Sequence, residues 1–312
     1  MVRRECFKAA AGDSIFVLNV DLHCHSNASD GMLSAAEVVR RAAADGVGLL
    51  ALTDHDTLAG LPAAAAAARE TGIGWVSGVE ISIEWRSVQV HILGLDFDYE
   101  NPALNAGLAR IRSGRIERAR RMGEALAEAG IEGAFEGAMR HAEHPELVSR
   151  SHFARYLVEK GICRDHRRVF DEWMVPGKPG YVDHRWAGLE EALEWIHGAS
   201  GVAVVAHPGR YLFSSAALKQ FFRDFKTQGG EGIEVVSGGH TREQSKYFSR
   251  LAKHFGFSAS RGSDFHGPGE SCIGPGALDP LPEGLTPVWS LFRESFLEPP
   301  ACRRNGPDTT TS

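Results

Sequence analysis

The 312-residue sequence lacks the marks of several protein classes. Its five cysteines are scattered and form no CxxC pair, which argues against a disulfide framework and a cysteine-ligated zinc site. No uninterrupted apolar stretch reaches the roughly 18 residues of a membrane span, and charges interrupt the N-terminal segment where a signal peptide is apolar. The net charge of −6 argues against nonspecific binding to long duplex nucleic acid. We therefore expect a soluble cytoplasmic protein.

What the sequence does contain is a globular composition with many histidines. Hydrophobic residues make up 43% and charged residues 24%, so the chain can bury a full core. The length exceeds a typical domain, but α/β barrels run to about 250 residues as one unit. One barrel with an extra module is the first prediction, and the 14 histidines are the unusual feature.

Apolar runs that alternate with helical patterns predict an α/β fold with a mainly parallel sheet. Seven strands are predicted, from the runs IFVLNVDLH, VGLLALTD, WVSGVEISI, VQVHILGLD, VAVVAHP, GIEVVS and FSASRGSDFH. A helical pattern without strand alternation separates the fourth run from the fifth. The predicted organisation is a barrel in two halves (15–100 and 181–298), a helical insertion (101–180) and flexible ends (1–14 and 299–312).

Histidines and carboxylates occur where the predicted strands end. His23 and His25 are two residues apart on one strand, so their side chains share a face. Because parallel strands bring their carboxyl ends to one face, we expect the other candidates to converge there too. Each could instead be a separately hydrogen-bonded core or loop residue, but together they indicate a metal site. The further candidates are Asp30, His55, Glu80, His91, His207, Asp264 and His266.

Six strings in this sequence resemble successive motifs of the PHP (polymerase and histidinol phosphatase) phosphoesterases, within the amidohydrolase-like barrels. They are DLHCHSNASDG, ALTDHDTLAG, GVEIS, HILGLDF, VAVVAHPGRY and RGSDFHGP, in the family order from about Val20 to Gly267. The resemblance implies a distorted (β/α)7 barrel of the PHP type, with a helical insertion and three divalent metal ions. It implies a first ion held by His23, His25, Glu80 and Asp264, a second by Glu80, His91 and His207, and a third by Asp30, His55 and His266.

The donor set limits the choice of metal. A mixed imidazole and carboxylate shell suits manganese, iron or zinc better than calcium. The resemblance favours Mn²⁺, with Fe²⁺, Zn²⁺ or Mg²⁺ as alternatives. Divalent ions would also neutralise converging carboxylates, which otherwise repel one another and resist ionisation.

Basic residues outside the metal shell suggest how a phosphoester is held. Arginine offers a bidentate fork to phosphate, and lysine and histidine supply single donors. The strings that carry these residues resemble one PHP branch, of 3′,5′-nucleotide bisphosphatases and 5′→3′ exonucleases on short RNA, in which matching residues contact substrate phosphates. Ser151 stands where that branch leads us to expect proline, and a solvated surface charge is the alternative for each residue. The candidates are Arg150 and His152 in SRSHFA, Lys178 in GKPGYV and Arg210 in HPGRY. Arg210 is expected to anchor the phosphate that is not cleaved.

The expected reaction is metal-dependent hydrolysis of nucleoside 3′,5′-bisphosphates, such as 3′-phosphoadenosine 5′-phosphate, or of short 5′-phosphorylated RNA. Glu80, His152 and Asp264 are the expected catalytic residues, and either His152 or water at the metal site would protonate the leaving oxygen. Two alternatives stay open, a histidinol-phosphate-type phosphatase and a noncatalytic PHP module that binds a polymerase or another partner. A membrane partner is not expected, and the sequence leaves the oligomeric state undetermined.

An arginine-rich segment and four tryptophans are assigned to structure rather than to the site. The arginines are spread around one predicted helix with glutamates between them, so we expect a solvated face instead of an RNA-binding surface. The tryptophans, Trp75, Trp85, Trp173 and Trp186, are expected in cores or lids. The arginines are Arg110, Arg112, Arg115, Arg118, Arg120 and Arg121.

Overall fold

The computed structural model describes residues 18–293, so the predicted ends at 1–14 and 299–312 lie outside the described residues. Eight strands form one sheet, and each of the seven predicted runs contains one of them. In chain order they are β1 (Val20–Asp21), β2 (Leu49–Leu52), β3 (Gly74–Trp85), β4 (Val88–Leu95), β5 (Ala187–Gly188), β6 (Val202–Val205), β7 (Gly232–Ser237) and β8 (Ser258–Gly262).

Helices surround the sheet and fill the segment between β4 and β5. Local signals fix several ends: Ser34 and Glu37 form a capping box at the start of the first helix, and Gly72 ends the second at φ +75°. No helix in the described part of the chain is long and apolar enough to cross a bilayer. The helices are α1 (Ala35–Ala44), α2 (Leu61–Thr71), α3 (Pro102–Arg112), α4 (Arg115–Glu128), α5 (Ala134–His141), α6 (Arg150–Glu159), α7 (His166–Val169), α8 (Leu189–Gly198), α9 (Ser215–Thr227) and α10 (Arg242–Phe255).

The sheet curves into a nearly closed barrel of seven strands in the order β1-β2-β3-β4-β6-β7-β8. The two ends of this order meet, because the Leu22 amide donates to the Arg261 carbonyl (3.0 Å) and Cys24 forms a parallel bridge with Phe265. β5 pairs with β3 off this path. The predicted distorted (β/α)7 barrel is therefore confirmed.

The distortion lies in one reversed strand. β4 pairs antiparallel with both β3 and β6, whereas the other neighbours in the barrel order pair in parallel. The cause is a two-residue hairpin at Arg86 and Ser87, both with positive φ, as a type I′ turn requires. The expectation that every candidate ligand lies near the carboxyl end of its strand is thus wrong for His91, which lies within β4 opposite Ser82, and for Glu80, which lies in the middle of β3.

The described residues form three apolar clusters, two in the barrel and one in the insertion. Leu104, Leu108 and Ile111 of α3 pack into the larger barrel cluster, although α3 lies in the predicted insertion. The insertion's own cluster is formed within the chain between Ala119 and Met174, around Phe153. The boundaries at 101 and 180 stay a prediction, and the separate core begins after α3.

A partly buried ion pair holds the insertion against the barrel. Arg155 of α6 donates to both carboxylate oxygens of Glu270, which follows β8, through Nε (2.6 Å) and Nη2 (2.9 Å). The same Nη2 donates to the carbonyl of Asp30, in the loop after β1. Ser151, where proline was expected, donates its hydroxyl to Asp30 Oδ2 at 2.9 Å. The insertion thereby orients a candidate metal ligand.

Asp21 is predicted to be a main support of barrel closure. Its fully buried carboxylate accepts from the amides of Ser263 (2.8 Å), Gly276 (2.7 Å) and His23 (3.3 Å). Asp21→Ala leaves these donors buried without partners, so we expect a loss of about 2–4 kcal/mol in the free energy of unfolding, measured by urea denaturation with chelator present. The exposed control Asp45→Ala should change it by less than about 0.5 kcal/mol. Equal stability of the two variants would contradict this role.

Candidate metal centre and active site

Four predicted ligands form the tightest group at the barrel's open end. Nε2 of His23 and Nε2 of His25 lie 3.1 Å apart. Glu80 Oε2 lies 3.2 Å from each of these nitrogens, and Asp264 Oδ1 lies 3.3 and 3.2 Å from them. All four side chains are buried. The two histidines share a face because they are two residues apart in extended chain.

These separations fit the coordination shell of a divalent ion. Donor atoms about 2.0–2.1 Å from an ion lie about 3.3 Å apart in a tetrahedron, and about 3 Å apart at adjacent corners of an octahedron. Glu80 Oε2 is buried and makes no hydrogen bond among the described residues, although three imidazole nitrogens lie 3.1 to 3.2 Å from it. Such an oxygen is oriented like a ligand that shares an ion with its neighbours.

The other oxygen of Glu80 faces a second pair of histidines. Oε1 lies 2.8 Å from Nδ1 of His91 and 2.8 Å from Nε2 of His207. His55 is also close, with Nδ1 3.1 Å from Glu80 Oε2, and it forms a compact group with Glu80 and His91. Glu80 thus lies between two sets of imidazoles, as expected of a carboxylate that bridges two ions.

A third group surrounds Asp30. Its Oδ1 lies 3.4 Å from Nε2 of His266 and 3.9 Å from Nε2 of His55. His25 belongs to this group as well, with its ring stacked on His266 at a centroid distance of 4.1 Å. All nine predicted ligands therefore lie in one cluster, and His25 reaches two of its groups.

The protonation pattern of the cluster suits metal ligands. Burial lowers the pKa of His207 to about 3, so its imidazole is neutral at pH 7, as a ligand must be. Burial also disfavours charge on His25, but a hydrogen bond to Asp264 and the adjacent Glu80 carboxylate outweigh it and raise its pKa to about 10. Although burial opposes ionisation of Asp264, Arg210 and His23 hold its pKa well below the usual value. The carboxylates thus draw a positive charge into the cluster, which a divalent ion can supply.

Sequence reasoning missed Glu234, which orients His23. Glu234 is fully buried in β7, and its Oε1 accepts from Nδ1 of His23 at 2.9 Å. Its other oxygen accepts from the His207 amide. The bond at Nδ1 leaves Nε2 of His23 free to face an ion, the usual partnership of a metal-binding histidine with a second carboxylate. A carboxylate within the buried strand GIEVVS was the available signal.

Two aspartates beside His55 have structural roles. Asp54 accepts from the Ser26 amide (2.7 Å) and from the hydroxyls of Ser26 (2.7 Å) and Ser29 (2.6 Å), so it holds the loop after His25. Asp56, at φ +52°, accepts from the Ser82 amide at 2.7 Å and pairs with Arg115. Both aspartates fix the loops that carry the histidines.

The four predicted substrate-binding residues lie at different depths. Arg210 pairs with Asp264 Oδ2, and Arg150 donates to Gln89 Oε1 at 3.1 Å. His152 is buried, with its Nδ1 accepting from the Ser149 amide at 2.9 Å, and burial lowers its pKa to about 4. His152 is therefore a neutral imidazole with its proton on Nε2. Lys178 lies in an exposed loop between Val175 and Tyr181, without a side-chain partner among residues 18–293.

The prediction of a solvated arginine face is wrong for three members. Arg115 and Arg118 are buried, each 4% exposed, and Arg112 donates to the Asp56 carbonyl at 2.6 Å. The side chains of Arg115 and Arg118 lie against the ring of Trp186. The face is buried because the loop before β5 and the barrel rim pack on it, which helical spacing alone does not reveal.

A barrel whose imidazoles and carboxylates converge at one end is the architecture of metal-dependent hydrolases. The family model of the PHP domain matches residues 21–220, and the chain belongs to this family. The predicted resemblance is thus confirmed.

Similar proteins match the predicted branch. A 3′,5′-nucleoside bisphosphate phosphatase from Chromobacterium violaceum is 50% identical over 281 residues, which cover 90% of this chain and 99% of that protein. A 5′-3′ exoribonuclease from Haemophilus influenzae is 43% identical over 273 residues, covering 87% and 98%. The solved structure of an amidohydrolase from Chromobacterium violaceum, with bound sulfate and no metal, is similar with a TM-score of 0.85 and 51% identity, covering 88% of this chain and 95% of that one.

Glu234→Gln should weaken metal binding without unfolding the protein. The amide keeps the shape of the side chain but removes the charge that polarises His23, so we expect the affinity for Mn²⁺ to fall about 10- to 100-fold. Competition with a chelator measures this affinity, and circular dichroism checks the fold. The control Glu231→Gln removes a partly exposed partner of His197 and should leave the affinity unchanged. Equal affinities of both variants would contradict the role of Glu234.

Proposed function

We propose that the protein is a metal-dependent phosphoesterase that removes phosphate from nucleoside 3′,5′-bisphosphates and hydrolyses short 5′-phosphorylated RNA in the 5′-3′ direction. The observation that carries this proposal is the convergence of eight donor residues around Glu80, beside Arg150 and Arg210. The names of the two relatives described above support the substrate class.

The proposal includes three divalent ions, with Mn²⁺ as the expected metal. Such ions lower the pKa of coordinated water and offset the charge of a phosphoryl group under attack. Glu80 and Asp264 would be catalytic because they would hold the ions at the reacting phosphate. The first ion is assigned to His23, His25, Glu80 and Asp264, the second to Glu80, His91 and His207, and the third to Asp30, His55 and His266.

The chain's other residues bind and orient the substrate. Arg210 was expected to anchor the uncleaved phosphate, but its ion pair with Asp264, a proposed metal ligand, favours contact with the reacting phosphate instead. His152 donates a hydrogen bond from Nε2, since a neutral imidazole can stabilise an oxygen without giving up its proton. Arg150 and the exposed Lys178 contact a phosphate that is not cleaved.

A cytoplasmic location belongs to the same proposal. The described cysteines, Cys24, Cys163 and Cys272, are free thiols, which suits a reducing compartment. Nucleotides and short RNA are the expected partners. Neither a membrane nor a long nucleic-acid duplex is an expected partner.

A substrate panel tests the proposal. Manganese-loaded protein should hydrolyse 3′-phosphoadenosine 5′-phosphate with a kcat/KM at least about tenfold above that for 3′-AMP, because the second phosphate adds charged hydrogen bonds. Short 5′-phosphorylated RNA should be cleaved, and histidinol phosphate should be the poorest substrate. Glu80→Gln is the inactive control, and chelator should abolish turnover.

Two outcomes would point to the alternatives. A preference for histidinol phosphate would replace the nucleotide assignment with a histidinol-phosphate-type phosphatase. Absence of turnover on every phosphoester, with manganese bound, would favour the noncatalytic module that binds a partner.

A further inference from the structure

A cavity of about 290 Å³ opens beside the candidate metal centre, between the β3–β4 hairpin and the loop before β5. We call it the Arg118 cavity. Its volume is close to the lower end of the range for small-ligand pockets. The residues used below line it: Glu84, Gln89, Arg118, Tyr181, Asp183 and Trp186.

Gln89 connects this cavity to the candidate metal centre. Gln89 and His91 are two residues apart on β4, so both side chains lie on one face, with Cα atoms about 7 Å apart. The Gln89 amide nitrogen lies 3.2 Å from Nε2 of His91, and its oxygen accepts from Nη2 of Arg150 at 3.1 Å. The distance of about 7 Å between the Cα atoms of Gln89 and His91 is comparable to the separation of two phosphates on one nucleoside.

Arg118 brings a buried positive charge without a matching carboxylate. It is 4% exposed, and its Nε donates to the Val182 carbonyl at 2.8 Å. Within residues 18–293, neither Nη1 nor Nη2 has a hydrogen-bond or ion-pair partner. Arg115, one turn earlier, is paired with Asp56. These two nitrogens are not fully buried and open onto the cavity, where a bound phosphate could accept hydrogen bonds from them.

Neighbouring arginines increase this excess of positive charge. Burial, followed by the charges of Arg150 and Arg115, lowers the pKa of Arg118 to about 9. Arg118 is therefore charged at pH 7, at a cost that a bound anion would relieve. The guanidinium also lies 5.5 Å from the ring centroid of Trp186, which limits its movement.

The outer rim of the cavity carries mixed charge. Glu84 and Asp183 line the cavity and are exposed to solvent, and Glu117, Arg121 and Arg185 line the adjoining outer groove with them. Because this rim has no excess of positive charge, it offers little attraction to a polyanion that continues outward. The arrangement therefore favours one phosphate group, bound inside the cavity at Arg118.

We propose that the Arg118 cavity binds the substrate phosphate that is not cleaved. Its two guanidinium partners are Arg118, which lines the cavity, and Arg150, which donates to Gln89 in the cavity wall. This inference rests on the proposed function and adds Arg118 as a specificity-determining residue. The second phosphate then lies along β4 from the reacting one, on the side of the insertion. Arg210 lies instead on the side of Asp264 and contacts the reacting group.

The test compares kcat/KM for 3′-phosphoadenosine 5′-phosphate with kcat/KM for 3′-AMP, using manganese-loaded full-length protein. We expect Arg118→Met to lower this bisphosphate-to-monophosphate ratio about tenfold or more, because a charge-assisted hydrogen bond is worth about a factor of 10 to 100. Arg120→Met is the matched control. Arg120 lies on the same helix, exposed over the Phe135 ring, and its loss should leave the ratio unchanged.

The outcomes separate this inference from the function on which it rests. A wild-type ratio near one would overturn the proposed bisphosphate preference and the cavity's role together. A high wild-type ratio that persists in Arg118→Met would overturn the phosphate-binding role of the Arg118 cavity and leave the proposed function standing. Equal losses in Arg118→Met and Arg120→Met would also overturn it. If circular dichroism shows that Arg118→Met does not fold, Arg118→Gln carries the same comparison, with the same expected direction.

Discussion

The site depends on the burial of Glu80 within β3, between two sets of imidazoles. A carboxylate removed from water is stable only where positive charge or hydrogen bonds compensate it. Here the compensation comes from histidines on neighbouring strands, with nitrogens 2.8 to 3.2 Å from its two oxygens. The barrel must be nearly closed to bring those strands together. The cluster around Glu80 therefore requires the nearly closed barrel.

The insertion also positions residues of this cluster, although it has its own apolar core. Arg155 clamps Glu270 and the Asp30 carbonyl, and Ser149 and Ser151 donate to the Asp30 carboxylate. These contacts come from α6 and the residue before it, so the helix that carries Arg150 and His152 is fixed relative to the cluster. Groups that would bind substrate and groups that would bind metal are thus held at a set distance.

Much of the site could be predicted because strand geometry acts over short distances in sequence. The spacing of His23 and His25 requires a shared face, and strand ends after apolar runs locate His207 and Asp264. The antiparallel direction of β4 could not be predicted from the sequence, because its hairpin uses Arg86 and Ser87 in place of the usual Asn or Gly.

The burial of polar residues was harder to predict from the sequence than the positions of the metal ligands. Helical spacing of Arg115 and Arg118 fits a solvated face equally well, and only the packing of a distant loop against it excludes water. Glu234 stands in a buried strand, where sequence shows the anomaly but not its partner, 211 residues away. Contacts of that kind are properties of the folded barrel.

The central claim is that this cluster binds divalent ions around Glu80. Diffraction from crystals grown with manganese, recorded on both sides of the manganese absorption edge, tests it most directly. The account predicts three anomalous peaks, one among His23, His25, Glu80 and Asp264 and all within the nine-residue cluster. Manganese peaks confined to other parts of the molecule, or none at all, would contradict it.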